Sequence, residues 1–219
     1  MDIFLSASVT DVLICAGYRF HDFVGWLDDV AVTTSTRGQG AMDFTLATSY
    51  GEATVTLVDT GEATSSGGRL GRVQHLLDGT FFMTYADGLA DVDLDTLLQH
   101  HRQSGAGVTL TGFPLRLRYG IVEAERDQLL ARRFQEKPVM EGMWCNGGFY
   151  VVEPSVVQRY CSCDEVNWEA VVLPKLAAEG SLGVLRHDGY WASMDFPHQR
   201  DDLRRTWREQ GPVWLSKGT

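Results

Sequence analysis

The sequence is short of cysteine, of basic charge and of long apolar runs. Its four cysteines, Cys15, Cys145, Cys161 and Cys163, are too few and too unevenly spaced for a disulfide framework, and no paired CxxC spacing offers a zinc site. Reduced thiols are expected. Lys and Arg number 19 against 29 Asp and Glu, a formal charge of -10 that works against non-specific attraction to a nucleic-acid backbone. No nucleic-acid partner is therefore expected, and a phosphate ligand needs local positive charge. No apolar stretch is long enough to span a bilayer, and Met1-Asp2-Ile3-Phe4-Leu5, soon followed by Asp11, lacks the basic region and apolar run of a signal peptide. A soluble cytoplasmic protein with no membrane partner is expected. What the sequence does have is apolar content: 44% of 219 residues, enough to bury a real core.

Along the chain, Val12-Leu13-Ile14-Cys15-Ala16-Gly17 is an apolar run stopped by glycine, which predicts a strand buried on both faces. Helical spacing follows over His21 to Asp29. From Thr33 to Thr56 the composition turns to Thr, Ser and Gly, predicting short strands and loops, and Val55-Thr56-Leu57-Val58 reads as another strand. Gly67-Gly68 precedes a helical stretch through Leu76. Thr80 to Tyr85 is the clearest strand, and it runs into Asp87-Gly88, which places the Asp87 carboxylate at the C-terminal end of a strand, where open parallel sheets bind ligands. Further strands are expected over Val108 to Phe113, Arg132 to Pro138 and Gly147 to Glu153. Helices are expected over Leu94 to Ser104, Ser155 to Tyr160, Trp168 to Glu179 and Asp201 to Gln210. The alternation predicts one α/β domain over residues 1–219 with a largely parallel sheet.

Asp87 and Asp195 are the first candidates for chemistry. Two carboxylates from distant segments suit magnesium, a hard cation that takes oxygen ligands and bridges them to phosphate. Spacing does not show that they meet, and a turn cap accounts for each as well. Asp91, Asp93 and Asp95 fit better as residues at a helix N-terminus. Lys137, between Glu136 and Pro138, could aim an ammonium at a phosphate; a surface lysine is the ordinary alternative. Asn146-Gly147-Gly148 would let backbone amides approach a ligand and offer an amide to sugar hydroxyls, although a plain turn explains it equally. Gly67-Gly68-Arg69 ahead of a helix is a possible anion site, with a simple turn as its alternative. Glu169 beside Trp168 could grip hexose hydroxyls. The neighbours His100 and His101 point apart on a helix, make a poor metal pair and are expected in solvent.

Taken in order, Ile14-Cys15-Ala16-Gly17-Tyr18, Thr56 to Gly61, Gly67-Gly68-Arg69-Leu70, Tyr85-Ala86-Asp87-Gly88, Phe134-Gln135-Glu136-Lys137-Pro138, Asn146-Gly147-Gly148-Phe149, Trp168-Glu169 and Met194-Asp195 form a more specific pattern than any one of them. The chain resembles the sugar-phosphate nucleotidyltransferases of the glucose-1-phosphate cytidylyltransferase kind over nearly its whole length. The resemblance implies a three-layer Rossmann-like fold of the glycosyltransferase-A type and a magnesium-dependent, homo-oligomeric enzyme. It implies a reaction of CTP with a sugar 1-phosphate that makes CDP-glucose and pyrophosphate. It assigns Asp87 and Asp195 to the magnesium, Lys137 to the sugar phosphate, and Glu136, Asn146, Gly147 and Glu169 to the hexose. Gly68 and Arg69 match the stretch near the nucleotide.

The resemblance also has gaps. The family opens with a strand and a glycine-rich loop carrying an arginine, then a proline and a lysine, and this sequence starts within the helix that follows. A first strand, a loop and part of a helix are expected to be missing, roughly 30 to 40 residues, as half a βαβ unit requires. Open edges are then expected along Val12 to Cys15 and Phe81 to Tyr85. Ala86 stands in place of a glycine, an acid expected at Val171 or Val172 is lacking, and Phe196 to Gln199 depart from the usual Thr-containing sequence. Two other readings follow: a non-catalytic relative that binds a sugar phosphate or a sister subunit, and a transferase or hydrolase acting on a ready-made sugar nucleotide.

Overall fold

Two four-stranded sheets, joined by a short glycine-rich helix, carry the fold. The structure, a computed structural model, describes residues 1–38, 40–117 and 119–215. After the short helix α1 (Asp2–Leu5) come strand β1 (Asp11–Ala16), helix α2 (Phe20–Val30) and three strands, β2 (Ala31–Gly38), β3 (Ala41–Thr48) and β4 (Gly51–Asp59). These strands form the first sheet in the order β1-β4-β3-β2. The β2–β3–β4 segment is a continuous antiparallel meander rather than the short strands and loops expected from its Thr- and Ser-rich sequence. Phe44, Val55 and Leu57 are fully buried from this sheet and pack with Leu27 of α2 in one cluster.

Helix α3 (Ser66–Val73) links the first sheet to the second half of the chain, which supplies β5 (Phe81–Thr84), β6 (Gly88–Ala90), α4 (Leu94–Ser104), β7 (Val108–Arg116), β8 (Ile121–Glu123), β9 (Arg133–Gln135) and β10 (Val139–Val152). The chain ends through α5 (Pro154–Tyr160), a π-helical turn at Trp168–Val172, α6 (Leu173–Ala178), β11 (Leu182–Arg186), β12 (Trp191–Ser193) and α7 (Pro197–Gln210). The second sheet has the order β11-β7-β10-β5. Its strands β5, β7 and β11 run one way and β10 the other, because β10 pairs antiparallel with both β5 and β7 while β11 pairs parallel with β7. The same arithmetic holds in the first sheet, where only β3 is reversed. Three strands of each four therefore share a direction, as the α/β alternation predicts, yet most hydrogen-bonded neighbours are antiparallel because each reversed strand lies inside its sheet. Among the described residues, β1 and β5 are end strands, each paired on one side only.

Both faces of the second sheet are covered. On one face Tyr150, Val152 and Leu110 pack with Trp168, Val172 and Leu176; on the other Phe149, Val151 and Phe113 pack with Leu97, Ile3 and Trp214. Helix α4 follows the sequence reading to the residue: Asp93 caps its first turn through the amides of Asp95 and Thr96, and Gly105, at φ 64°, ends it in the left-handed conformation. One expectation on this helix fails. His101 is buried, not in solvent, because Nδ1 meets Thr109 Oγ1 at 2.9 Å and Nε2 meets Glu153 Oε1 at 3.1 Å, which satisfies both ring nitrogens inside the core.

Candidate functional site

Asp87 and Asp195, from segments far apart in the sequence, come to the same end of one two-stranded ladder. β6 and β12 pair antiparallel with Gly88 opposite Ser193, and one residue further the Met194 N–H donates to the Asp87 carbonyl at 2.9 Å. Beyond that bond both chains turn, at Ala86-Asp87 and at Asp195-Phe196. Both aspartates are exposed. The Ser193 hydroxyl donates to Asp195 Oδ2 at 2.7 Å, which leaves the other carboxylate oxygen open. Among the described residues no group of three or more His, Cys, Asp or Glu side chains gathers in the manner of an all-protein metal site. Two carboxylates with open oxygens nevertheless fit magnesium, which commonly takes one or two protein carboxylates and completes its shell with water and substrate phosphates.

A second group lies beside the ladder. The Trp191 indole donates from Nε1 to the Gly147 carbonyl at 2.9 Å, pinning to β12 the Asn146-Gly147-Gly148 segment of β10, which lies at a bulge in that strand rather than in a turn. Gly148, at φ 76°, would bring a Cβ to 3.0 Å from the Tyr85 ring, and a Cβ on Gly147 would lie 2.7 Å from Thr111 Oγ1. These glycines therefore permit close packing of β10 against its neighbours, whatever else they do. Asn146 donates through Nδ2 to the Tyr150 hydroxyl at 2.6 Å and accepts from the Gly148 N–H at 3.1 Å. The Tyr150 hydroxyl lies 3.4 Å from that of Tyr85, which donates to Glu169 Oε1, while Ser66 of α3 donates to Glu169 Oε2 at 3.0 Å. Burial pushes the Tyr150 phenol up to about 12, against the opposing Asn146 hydrogen bond. Trp168 is fully buried next to Tyr150, and among the described residues its Nε1 has no hydrogen-bond partner.

Asn146 and Glu169, picked separately from the sequence, are thus two ends of one polar chain running through Tyr150 and Tyr85. Neither tyrosine stood out in the sequence, nor did Ser66 or Trp191. The signal was present in Tyr85, two residues before Asp87, and in Tyr150, two residues after Gly148; aromatic residues in strands simply read first as core.

The remaining candidates stand apart from this group. Glu136 and Lys137 lie between β9 and β10, at the base of the arm that carries the β8–β9 hairpin, and Leu117 N–H donates to the Pro138 carbonyl there at 3.1 Å. Lys137 Nζ is 3.8 Å from Glu136 Oε1, with side chains 65% and 62% exposed, and no hydrogen bond or ion pair among the described residues ties either to the aspartates. Lys137 has φ 44°, a left-handed conformation that is costly for a side-chain-bearing residue, here directly before proline. In α3 the glycines face backbone: a Cβ on Gly68 would come 2.5 Å from the Asp164 carbonyl oxygen and one on Gly67 2.9 Å from the Val166 carbonyl oxygen. Arg69 turns the other way and donates to Thr60 Oγ1 at 2.7 Å, at the C-terminal ends of β1 and β4.

The fold is thus an α/β sheet pair with an acidic ladder end, a glycine bulge in β10 and an amide–carboxylate chain. Residues 47–191 match the nucleotidyl transferase family, and the chain belongs to it. It is similar to glucose-1-phosphate cytidylyltransferase of Salmonella typhi, with 38% identity over 162 residues, 73% of this chain and 62% of that one. A probable glucose-1-phosphate cytidylyltransferase of Bacillus subtilis is 32% identical over 161 residues, with the same coverage of 73% and 62%. The chain thus spans about 62% of the length of these relatives. By fold it is similar to HddC from Yersinia pseudotuberculosis, with a TM-score of 0.67 at 14% identity over 94% of this chain and 83% of that one. A putative glucose-1-phosphate thymidylyltransferase from Bacillus anthracis, in complex with a sucrose, gives a TM-score of 0.66 at 14% identity over 94% of this chain and 80% of that one.

Proposed function

We propose that the chain acts in a nucleotidyltransferase of the glucose-1-phosphate cytidylyltransferase type, transferring CMP from CTP to glucose 1-phosphate to give CDP-glucose and pyrophosphate. The observation that carries this reading is the meeting of Asp87 and Asp195 at one ladder end, through the Met194–Asp87 backbone bond, beside the pinned Asn146-Gly147 bulge of β10. A phosphate oxygen of the sugar phosphate attacks the α-phosphorus of CTP, the bond from that phosphorus to the β-bridging oxygen breaks, and pyrophosphate leaves. The attacking oxygen is already ionised, so no general base is needed. Asp87 and Asp195 would hold magnesium, which offsets charge on the phosphates as the transfer proceeds.

The rest falls to the chain's own side chains. Lys137 supplies a cation to the sugar phosphate, with Glu136 beside it. Asn146, Gly147 and Glu169 orient the hexose, held in place by Tyr150, Tyr85 and Ser66, while Gly68 and Arg69 lie toward the nucleotide. The protein works as a cytoplasmic homo-oligomer, which sedimentation of the purified chain checks. A pyrophosphate-release assay over several nucleoside triphosphates and sugar 1-phosphates tests the chemistry, with release from CTP plus glucose 1-phosphate as the expected result.

One observation favours a second reading. Lys137 and Glu136 stand exposed and paired with each other, so a relative that binds a sugar phosphate without transferring to it is the alternative. Saturable binding of glucose 1-phosphate with no pyrophosphate released from any nucleotide would select it.

A further inference from the structure

The C-terminal edge of the second sheet continues past Asn146 into a groove of about 440 Å³ lined by Leu110, Gly142, Trp144, Asn146, Val184 and Arg186. Three strands meet there: β7 places Leu110 beside Val184 and Gly112 beside Arg186 of β11, and β10 lays Asn146 against Gly112 and Trp144 against Pro114. Gly112 makes the junction possible. A Cβ on it would sit 3.0 Å from Val184 Cγ1 and 3.1 Å from Trp144 Cβ, so a side chain there would push the groove's walls apart.

Arg186 is the one charged residue lining the groove among the described residues. Its guanidinium carbon lies 5.4 Å from the centre of the Trp144 ring, and none of the ion pairs among the described residues includes it. Stacking on an indole holds a guanidinium in place without using its hydrogen-bonding edge, which stays free for a planar, doubly accepting anion. In a chain of net charge -10, a positioned cation with no carboxylate partner among the described residues suits an anion from outside. The groove is of the size that takes a small organic ligand, larger than an inorganic anion needs. Leu110, Val184 and Trp144 offer apolar surface suited to the C–H face of a pyranose. Asn146 then joins this groove to the Tyr150–Tyr85–Glu169 chain.

We propose that this groove is the sugar-recognition subsite, and that Arg186 on Trp144 selects a pyranose 1-phosphate whose ring carries a further anionic group, a carboxylate such as that of a hexuronic acid. The inference rests on the sugar 1-phosphate reading above and narrows its substrate class: the preferred sugar is acidic, with glucose 1-phosphate as the weaker ligand. Arg186 then determines specificity by direct contact with the sugar. It stands outside the transfer chemistry at the aspartates.

Calorimetric titration of the full chain with glucose 1-phosphate, glucuronic acid 1-phosphate and inorganic phosphate tests this, using the wild type, Arg186→Gln and Trp144→Leu. The expected result is glucuronic acid 1-phosphate binding about 10-fold tighter than glucose 1-phosphate, the scale of one charge-assisted hydrogen bond. Arg186→Gln should erase that preference, and Trp144→Leu should weaken both sugars. Because Arg186 is exposed, Arg186→Gln should fold normally, which circular dichroism checks. Equal affinities in the wild type, a preference that survives Arg186→Gln, or no binding of either sugar overturns the inference. Glucose 1-phosphate bound and turned over without preference sinks the subsite alone; a preference that Arg186→Gln erases, with no pyrophosphate released from any nucleotide, upholds the subsite and sinks the transfer reading.

Discussion

Asn146, exposed, and Glu169, half-buried, are cross-linked to a buried core, whereas Glu136 and Lys137 stand at the root of an exposed arm, although all four belong to one proposed sugar-phosphate site. The first pair is fixed by the core: Tyr150 and Trp168 are fully buried between them, and hydrogen bonds to Ser66, Tyr85 and Tyr150 leave their side chains few alternatives. The second pair is held by a backbone bond at Pro138 and by its own weak ion contact at 3.8 Å. A solvated pair of this kind contributes about 0 to 1 kcal/mol. The difference teaches that this site is half preformed. On the proposed reading, the sugar's hydroxyls would meet rigid groups, and its phosphate would have to order the lysine on binding.

The contrast can be broken most severely at Trp168. Trp168→Ala removes a fully buried indole next to Tyr150, and a stability loss of about 3 to 5 kcal/mol is expected in urea unfolding. Next come the aspartates. Asp87→Asn and Asp195→Asn should each cut pyrophosphate release about 100-fold with the unfolding midpoint nearly unchanged, since both residues are exposed and the Ser193 hydrogen bond to Asp195 is itself exposed. A smaller effect sharpens the comparison from the arm's side: Lys137→Gly should raise the KM for sugar phosphate about 10-fold, yet leave stability equal or about 1 kcal/mol higher, because glycine relieves the left-handed backbone at φ 44°. A gain in stability with a loss in affinity is the mark of strain held for function.

The smallest effect is one of pH. Burial alone would raise the Glu153 carboxyl, but hydrogen bonds from Thr80 and His101 outweigh it and hold the group below its ordinary value. A depressed carboxylate contributes stability that is fully present above the unfolded glutamate value and is lost as pH falls through the lower folded one. Glu153→Gln should therefore lower stability slightly near neutrality and flatten its dependence in that acidic window, as acid titrations of the unfolding midpoint would reveal.

Local pattern made the long elements legible. Helix α4 followed from Asp93, Gly105 and the apolar spacing between them, and β1 and β5 from their uninterrupted apolar runs. Three kinds of feature were not. Strands β6 and β12 have three residues each, too few for a period to register, so the partnership of Asp87 with Met194 lies in a pairing that sequence spacing does not carry. The glycines of α3 look like a ligand loop, but the neighbour that requires them, the backbone at Asp164 to Val166, is nearly a hundred residues away. His101 likewise reads as solvent-facing until Thr109 and Glu153 are brought to its two nitrogens by the sheet. In each case the deciding partner is remote in sequence.

The central claim is that Asp87 and Asp195 act together on one divalent ion. Titration of the chain with Mn²⁺ in the presence of CTP, followed by electron paramagnetic resonance, addresses it without depending on turnover. The account predicts a bound ion whose affinity falls at least about 10-fold in either Asp87→Asn or Asp195→Asn, with little further loss in the double variant, as expected of two ligands to one metal. Binding that is unchanged in both single variants, or that falls in one alone, would contradict it.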